Sequence, residues 1–294
     1  MSLIFQLLFN SLIAGSIYAL IAIGFSTIYR TVKFFHFAHG VIYTIGAYVA
    51  YSFVITLGAN SIISIFIAVI AAGTIGVGID RLVYYPLRKN KASNLVYLIA
   101  SFGVFIFIQN LIQLLYGAQI LSIRTGEVKV GHSVFGAIIT DIQILILVVS
   151  LVLSSGLWIY IKYTKLGKAM RAVADDSVAA RVVGINSERI ISWSFAIGSM
   201  LAGAAGVLIA YETNLEPTMG MNAILKGIIA SIVGGIGSIP GAMLGGFFLG
   251  LAENLGIWKI QAGWKDAIAF AILIMFLLFR PGGIMGVNIH KDRL

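Results

Sequence analysis

Charged residues are absent from six long stretches of the chain: 3–29, 34–79, 92–123, 142–161, 190–211 and 227–252. A helix crossing about 30 Å of hydrocarbon needs roughly 20 apolar residues, so each stretch is long enough to span a membrane. Stretch 34–79 holds 46 residues, which would make a helix of roughly 69 Å at 1.5 Å per residue. That exceeds one crossing, and Gly58-Ala59-Asn60-Ser61 supplies the break. The pattern predicts spans at 4–28, 38–57, 61–79, 94–116, 141–161 and 190–211. A Gly-rich pair follows at 224–237 and 240–257, and a last span at 264–280. Pro240 lacks a backbone donor and is surrounded by glycines, so the pair is read as two segments joined at a break rather than one straight helix. The expected fold is all-α: a polytopic transmembrane helical bundle of about 8–9 membrane segments, forming a single domain over 1–294.

Composition agrees. Of 294 residues, 60% are hydrophobic and 11% charged, against about 25% charged in ordinary soluble domains. The N-terminal apolar run has no Lys or Arg before it and exceeds a signal-peptide core, so it is read as the first span. The chain has no Cys, which removes disulfides and thiolate metal sites. Its net charge of +9 does not indicate nucleic acid, because the basic residues sit in short segments between apolar runs. That is the positive-inside pattern of a multi-pass protein in a lipid bilayer.

Placing the N-terminus outside puts fifteen Lys and Arg residues in inner segments: Arg30 and Lys33; Arg81, Arg88, Lys89 and Lys91; six between Lys162 and Arg189; then Arg280, Lys291 and Arg293. Five remain outside: Arg124, Lys129, Lys226, Lys259 and Lys265. With the Gly-rich pair returning on itself, the C-terminus falls on the cytoplasmic side. If 224–257 crossed once instead, the count would be fourteen against six, and the broken helix at Pro240 argues for the pair.

Several chemistries are excluded. No P-loop pattern, H-E-x-x-H or G-x-S-x-G occurs, so ATP binding through a P-loop and the common hydrolase sites are absent. Gly235-Ile236-Gly237 follows no strand and is not read as a dinucleotide fingerprint. His36 and His39 stand three apart at a helix start with no acidic residue or Cys nearby, and are read as packing or interfacial rather than metal-binding. No cofactor is expected. Acidic residues lie mostly at span ends or in loops, with only Glu253 inside a span, which argues against proton or sodium coupling.

The segment 162–189 is the longest inner connection. Within it, Met170, Val173, Ala174, Ser177 and Ala180 recur on one helical face, with Lys168, Arg171 and Asp175 opposite and Arg181 off the pattern. Such a helix either lies at the lipid surface or docks into a partner's groove. The glycines around 234–246 and the stripes Gly198/Ala202/Gly206 and Ala68/Ala72/Gly76 suit close helix packing. The alternative for the break is that its freed backbone groups line a pathway, with Asn10, Ser11, Tyr18, His39, Tyr43, Thr44, Ser101 and Gln109 as further candidates.

Three motifs carry a resemblance. Lys165-Leu166-Gly167-Lys168-Ala169-Met170-Arg171-Ala172, continued by Ala174-Asp175-Asp176, Ala179-Ala180 and Gly184, resembles the cytoplasmic coupling segment of branched-chain amino-acid ABC permeases. Phe37-Ala38-His39-Gly40 with Gly46-Ala47-Tyr48 resembles that family's second-span motif. Gly234-Gly235-Ile236-Gly237-Ser238-Ile239-Pro240-Gly241, running on to Glu253-Asn254, resembles its Gly-rich segment. The resemblance runs from about residue 5 to 285. It implies a permease subunit of the bacterial or archaeal plasma membrane that pairs with a homologous second permease. Two cytoplasmic ATPases hydrolyse ATP for it, and an extracytoplasmic binding protein delivers amino acids. It assigns ATPase coupling to Gly167, Met170, Arg171, Ala174, Asp175, Asp176, Ala180 and Gly184. Beside the resemblance, the physical reading of the broken helix and of the polar residues at depth gives His39, Tyr43, Gly237, Ser238, Pro240 and Gly241 as pathway candidates. His36 stands where the family usually has Asn, which leaves urea or short amides open as cargo. A self-sufficient channel for small neutral solutes is the rival from another class, and an intramembrane enzyme is disfavoured for want of a catalytic constellation.

Overall fold

The computed structural model describes residues 2–124, 131–259 and 261–286. Lys129, Lys291 and Arg293, used in the charge count above, lie outside them, as does the tail 287–294. The regular elements of the described residues are helical apart from a short antiparallel hairpin, β1 His132–Val134 with β2 Ala137–Ile139, and a single bridge between Leu121 and Leu215. The helices are α1 Ser2–Val32, α2 Ala38–Tyr51, α3 Ser61–Ile79, α4 Tyr85–Lys89, α5 Asn94–Tyr116 and α6 Asp141–Tyr163. They continue as α7 Lys165–Asp175, α8 Ser177–Val182, α9 Ser187–Glu212, α10 Met219–Gly234, α11 Ile239–Gly256 and α12 Lys265–Phe279.

Six helical stretches among the described residues are long and apolar enough to cross a membrane. They are Leu3–Val32, Ala38–Thr56, Ser61–Lys89, Asn94–Tyr116, Asp141–Tyr163 and Ser187–Glu212. The Gly-rich pair forms α10 and α11, bent by 116° at the break. The polytopic helical bundle stands, but the six to seven spans among the described residues are somewhat fewer than the expected 8–9 segments. The last of them, α12, has 15 residues, roughly 22 Å of helix, short of a full crossing. It stops at Arg280-Pro281, where proline cannot continue a helix. The second and third spans are extended by π-helical turns, Ser52–Thr56 and Asp80–Tyr84, the latter joining α3 to α4.

Helix starts follow from capping. Side-chain oxygens accept from free N–H groups at six of them: Asn60 from Ile62 (2.8 Å), Thr140 from Gln143 (3.3 Å), Thr164 from Gly167 (3.0 Å), Asp176 from Val178 (2.7 Å), Asn186 from Arg189 (3.0 Å) and Ser238 from Gly241 (3.2 Å). Each such cap contributes about 1 kcal/mol. α2 lacks a cap of its own; instead the Ala38 N–H donates to Ser101 Oγ on α5, at 3.1 Å.

The chain forms two compact units. One comprises Met1–Ser26, Thr125–Ser154 and Leu225–Leu294, the other Thr27–Arg124 and Ser155–Ile224. In the first, α11 lies directly on α1: a Cβ at Gly246 would meet Ala19 Cα at 2.6 Å, and one at Gly250 would meet Gly15 Cα at 2.6 Å. The hairpin edge is closed by Gln6, which donates to Ile138 O (3.1 Å) and accepts from Ile138 N (2.8 Å). In the second, α2, α3 and α9 pack through small residues. A Cβ at Gly46 would meet Gly203 Cα at 2.6 Å, and one at Gly76 would meet Ser199 Cβ at 2.5 Å. Ala68 and Ala72 are fully buried beside them, and Val41, Ile45, Tyr48, Phe105 and Val207 build the adjoining core.

Overpacking a tight seam costs about 1–3 kcal/mol. Gly46→Ala should therefore lower the thermal midpoint of the purified chain by several degrees. Gly156→Ala, whose added methyl meets nothing within 4 Å, should leave it unchanged. Equal midpoints for both variants would mean that the α2–α9 seam is not close-packed.

Candidate functional site

The segment between α6 and α9 is held from within. Arg171 donates to Ile161 O (2.6 Å) and Lys162 O (3.0 Å), placing a cation on the last carbonyls of α6, where the helix dipole favours it. Gly167 sits against the Ile161 backbone, with room for no larger side chain. Met170, Val173, Ala174 and Ala180 are each 3% exposed or less. The apolar face seen in the sequence is thus packed within the chain's own interior, where Gly167, Met170, Ala174 and Ala180 are buried. Asp175 lies 3.8 Å from Arg30 at the surface. The Asp176 carboxyl is held below the usual carboxylate range by the N–H groups of Ala179 and Val178 that it caps. Gly184 ends the segment in the left-handed conformation, φ 87°, which glycine adopts without strain. What remains outside is an apolar edge on α8 that pattern reading passed over: Val178, Val182 and Val183, 60%, 83% and 75% exposed.

The pathway candidates divide between the two units. Gly237, Ser238, Pro240 and Gly241 belong to the turn joining α10 to α11 in the first. Gly235 and Gly237 take φ 109° and 84° there, Ser238 caps α11 and Pro240 sits in its first turn. Gly234 and Gly241 are in backbone contact. The carbonyls of Val233 and Gly234 accept from Ile284 N (2.8 Å) and Met285 N (2.9 Å). The break therefore has partners within its own unit for these backbone groups, which supports the packing reading of the glycines. His39 and Tyr43 lie in the second unit on α2, both buried. His36 lies just before them, with Nδ1 3.0 Å from the Tyr84 hydroxyl and its ring edge-on to Phe195. Among the described residues no three His, Cys, Asp or Glu side chains are arranged to hold a metal.

Two charged networks went unseen in the sequence. In the second unit, Asp80 is fully buried and accepts from Arg88 Nη1 (2.7 Å) and Ser192 Oγ (2.9 Å). Arg88 also donates to Glu188 from Nε (3.0 Å) and Nη2 (2.8 Å). This ties the C-terminal end of α3 to the first turns of α9. The eight-residue spacing of Asp80 and Arg88 along one helix was the available signal. In the first unit, Lys226 pairs with Glu253 and, at 2.8 Å, with Asp266; the Tyr18 hydroxyl donates to the other Glu253 oxygen at 2.8 Å. Lys226 is 8% exposed and Glu253 fully buried. Counting Lys226 among the outer cations misses this: it lies buried within α10, where a buried carboxylate neutralises it, which a count of charges along the chain cannot register.

Residues 7–277 match the family described as the permease component of branched-chain amino acid transport systems. The high-affinity branched-chain amino acid transport system permease protein LivH of Escherichia coli K12 is 39% identical to this chain, over 96% of it and 95% of LivH. The corresponding protein BraD of Pseudomonas aeruginosa is 40% identical over the same shares. The chain belongs to this permease family. One solved structure, PsaBC from Streptococcus pneumoniae in complex with Fab, shares the fold. It has a TM-score of 0.53 and 13% identity, covering 93% of this chain and 91% of that one. The permease is thus a multi-pass membrane protein, and its buried charges stand among membrane helices, where an unpaired charge is most costly.

Removing one partner of a buried ion pair costs about 3–5 kcal/mol. Lys226→Met should destabilise the permease by that order in thermal unfolding, and adding Glu253→Gln should restore most of the loss. A single variant as stable as the parent would show that Glu253 does not depend on Lys226.

Proposed function

We propose that this permease is a membrane subunit of an ATP-binding-cassette importer that moves amino acids, specifically branched-chain ones, delivered by an extracytoplasmic binding protein. The observation that carries it is similarity along nearly the whole chain, at 39–40% identity, to LivH and BraD. On this reading all of 1–294 is one permease domain. It forms half a pathway, completed by a homologous second subunit and driven by two cytoplasmic ATPases that supply the hydrolysis.

The N-terminus lies outside and the C-terminus in the cytoplasm of a bacterial or archaeal plasma membrane, as seven crossings give when the bent α10–α11 pair makes one of them. The burial of Lys226 supports this by removing one cation from the outer count. Segment 162–189 then faces the cytoplasm, and the ATPase meets it at Val178, Val182 and Val183. Exposed valines rimmed by Asp176 and Arg181 make an apolar contact bounded by charge. Movement reaches the membrane helices because Ser187 Oγ donates to Ser177 O (3.0 Å) and Glu188 binds Arg88. A push on α8 is then felt at the base of α9 and, through Arg88 and Asp80, at α3. ATP binding needs only to favour one arrangement of these contacts over another.

Interface residues that carry binding contribute more than about 1 kcal/mol each. Changing Val182 and Val183 together to Asp should weaken ATPase association by roughly tenfold or more, measured by co-purification, with the thermal midpoint unchanged. Ala174→Glu, buried in the chain, should instead lower the midpoint. Undiminished ATPase capture by the double variant would remove the coupling role from α8. Solute flux through the chain alone in liposomes would favour the channel reading.

A further inference from the structure

His36 lies in the connection 33–37 between the first two spans, outside both. This connection holds itself weakly. Lys33 takes the left-handed conformation, φ 58°, which a residue with a Cβ adopts at a cost. Phe37 gives α2 no side-chain cap, and the first N–H of that helix is taken instead by Ser101 of α5. The connection is kept in place by rings from elsewhere in its own unit, and they meet on His36. Its imidazole is fully buried, edge-on to Tyr84 at 5.4 Å and to Phe195 at 5.1 Å between centroids, with the His39 ring at 6.0 Å.

The ring has room for one proton and not for two. Nδ1 lies 3.0 Å from the Tyr84 hydroxyl, whereas Nε2 is buried with no hydrogen-bond partner among the described residues. A neutral imidazole carries one N–H and can leave its other nitrogen idle, but an imidazolium must donate from both. A buried cation whose N–H finds no acceptor is far costlier than an idle lone pair. No carboxylate stands ready for it either. The titratable and charged groups on the elements packed around the ring are His39 on α2, Asp80 and Tyr84 on the π-helical turn, Arg88 on α4, Tyr97 on α5 and Glu188 on α9. Arg30 and Lys33 adjoin it in sequence. Of the two carboxylates, Asp80 is closed on Arg88 and Ser192, and Glu188 on Arg88. Burial away from water, with His39 beside it, holds the His36 imidazole well below its usual value of about 6.5.

We propose that His36 is an acid-release latch: while neutral it locks the α1–α2 connection against Tyr84 and Phe195, and once protonated it keeps that connection open. Tyr84 shares its turn with Asp80, so release at His36 reaches the set of Asp80, Arg88 and Glu188 that joins α3 to α9. The sign follows from which form binds the proton. The closed form refuses it and the open form accepts it, so the latch is complete above about pH 6.5 and weakens below it, by about tenfold in the opening equilibrium per pH unit.

The test uses the purified full chain and hydrogen exchange over residues 33–44, read by mass spectrometry. The ratio of exchange rates, parent to His36→Gln, cancels the intrinsic effect of pH on amide exchange. It should rise at least fivefold between about pH 7.5 and about pH 5.5, the window below the usual imidazole value. An unchanged ratio overturns the latch. So does a rise that disappears when His39→Gln replaces the parent, which would make His39 the sensor. As a second measurement, NMR of 13C-labelled histidine rings, with His36 assigned by its loss in His36→Gln, should show a ring still neutral at about pH 6 in the closed chain. A His36 ring that titrates at its ordinary value overturns the proposal. If His36→Gln does not fold, the parent decides alone. Exchange over 33–44 that outpaces residues 141–154 as pH falls supports the latch, and exchange that keeps step with them overturns it.

Discussion

Inside a bilayer no water is available to complete a hydrogen bond or screen a charge, so polar groups there find partners within protein or are very costly. Much of this chain's architecture follows from that constraint. Its long helices satisfy their own backbones. Where the helix is broken between α10 and α11, the carbonyls of Val233 and Gly234 are taken by the N–H groups of Ile284 and Met285. Where charges enter, they come as closed sets, Asp80 with Arg88 and Glu188, and Lys226 with Glu253 and Asp266. The glycines act in the same economy of space: without apolar surface to hide from water, helices gain from close backbone approach, as at Gly46 on Gly203 and Gly246 on Ala19.

The same constraint explains what could be read in advance. Spans are legible because hydrocarbon forbids charge over about twenty residues, and α5 falls at the expected 94–116. The small-residue stripes of α3 and α9 are legible for a related reason, since glycine and alanine repeat on one helical face only where another helix comes close. Charge patterning is where the reading breaks down. A lysine ends a charge-free run whether it lies in a loop or is neutralised by a carboxylate from another helix, so Lys226 was assigned to the outer surface. Helix length is a second limit: stretch 264–280 has the composition of a span and ends where expected, but α12 is only 15 residues long, short of a full crossing.

The segment between α6 and α9 teaches a different limit. An amphipathic helix announces that one face is covered without saying by what. Here Met170, Val173 and Ala174 are covered by the chain itself. The surface left over is the valine edge of α8, too short to show a period of its own. Only the packing separates residues that hold this segment in place from residues left at its surface. Glu188 and Arg88 then give the segment a mechanical connection to the membrane helices that no local pattern contains.

The central claim is that this chain forms a pathway whose opening is powered from outside it. The most direct measurement is uptake of labelled leucine into proteoliposomes holding the permease, its second subunit and the ATPases, with binding protein added outside and ATP trapped within. The account predicts accumulation against a gradient that requires ATP and falls at least tenfold when the ATPases are omitted. Equilibration of leucine at an undiminished rate through the chain alone, without ATP, would contradict it.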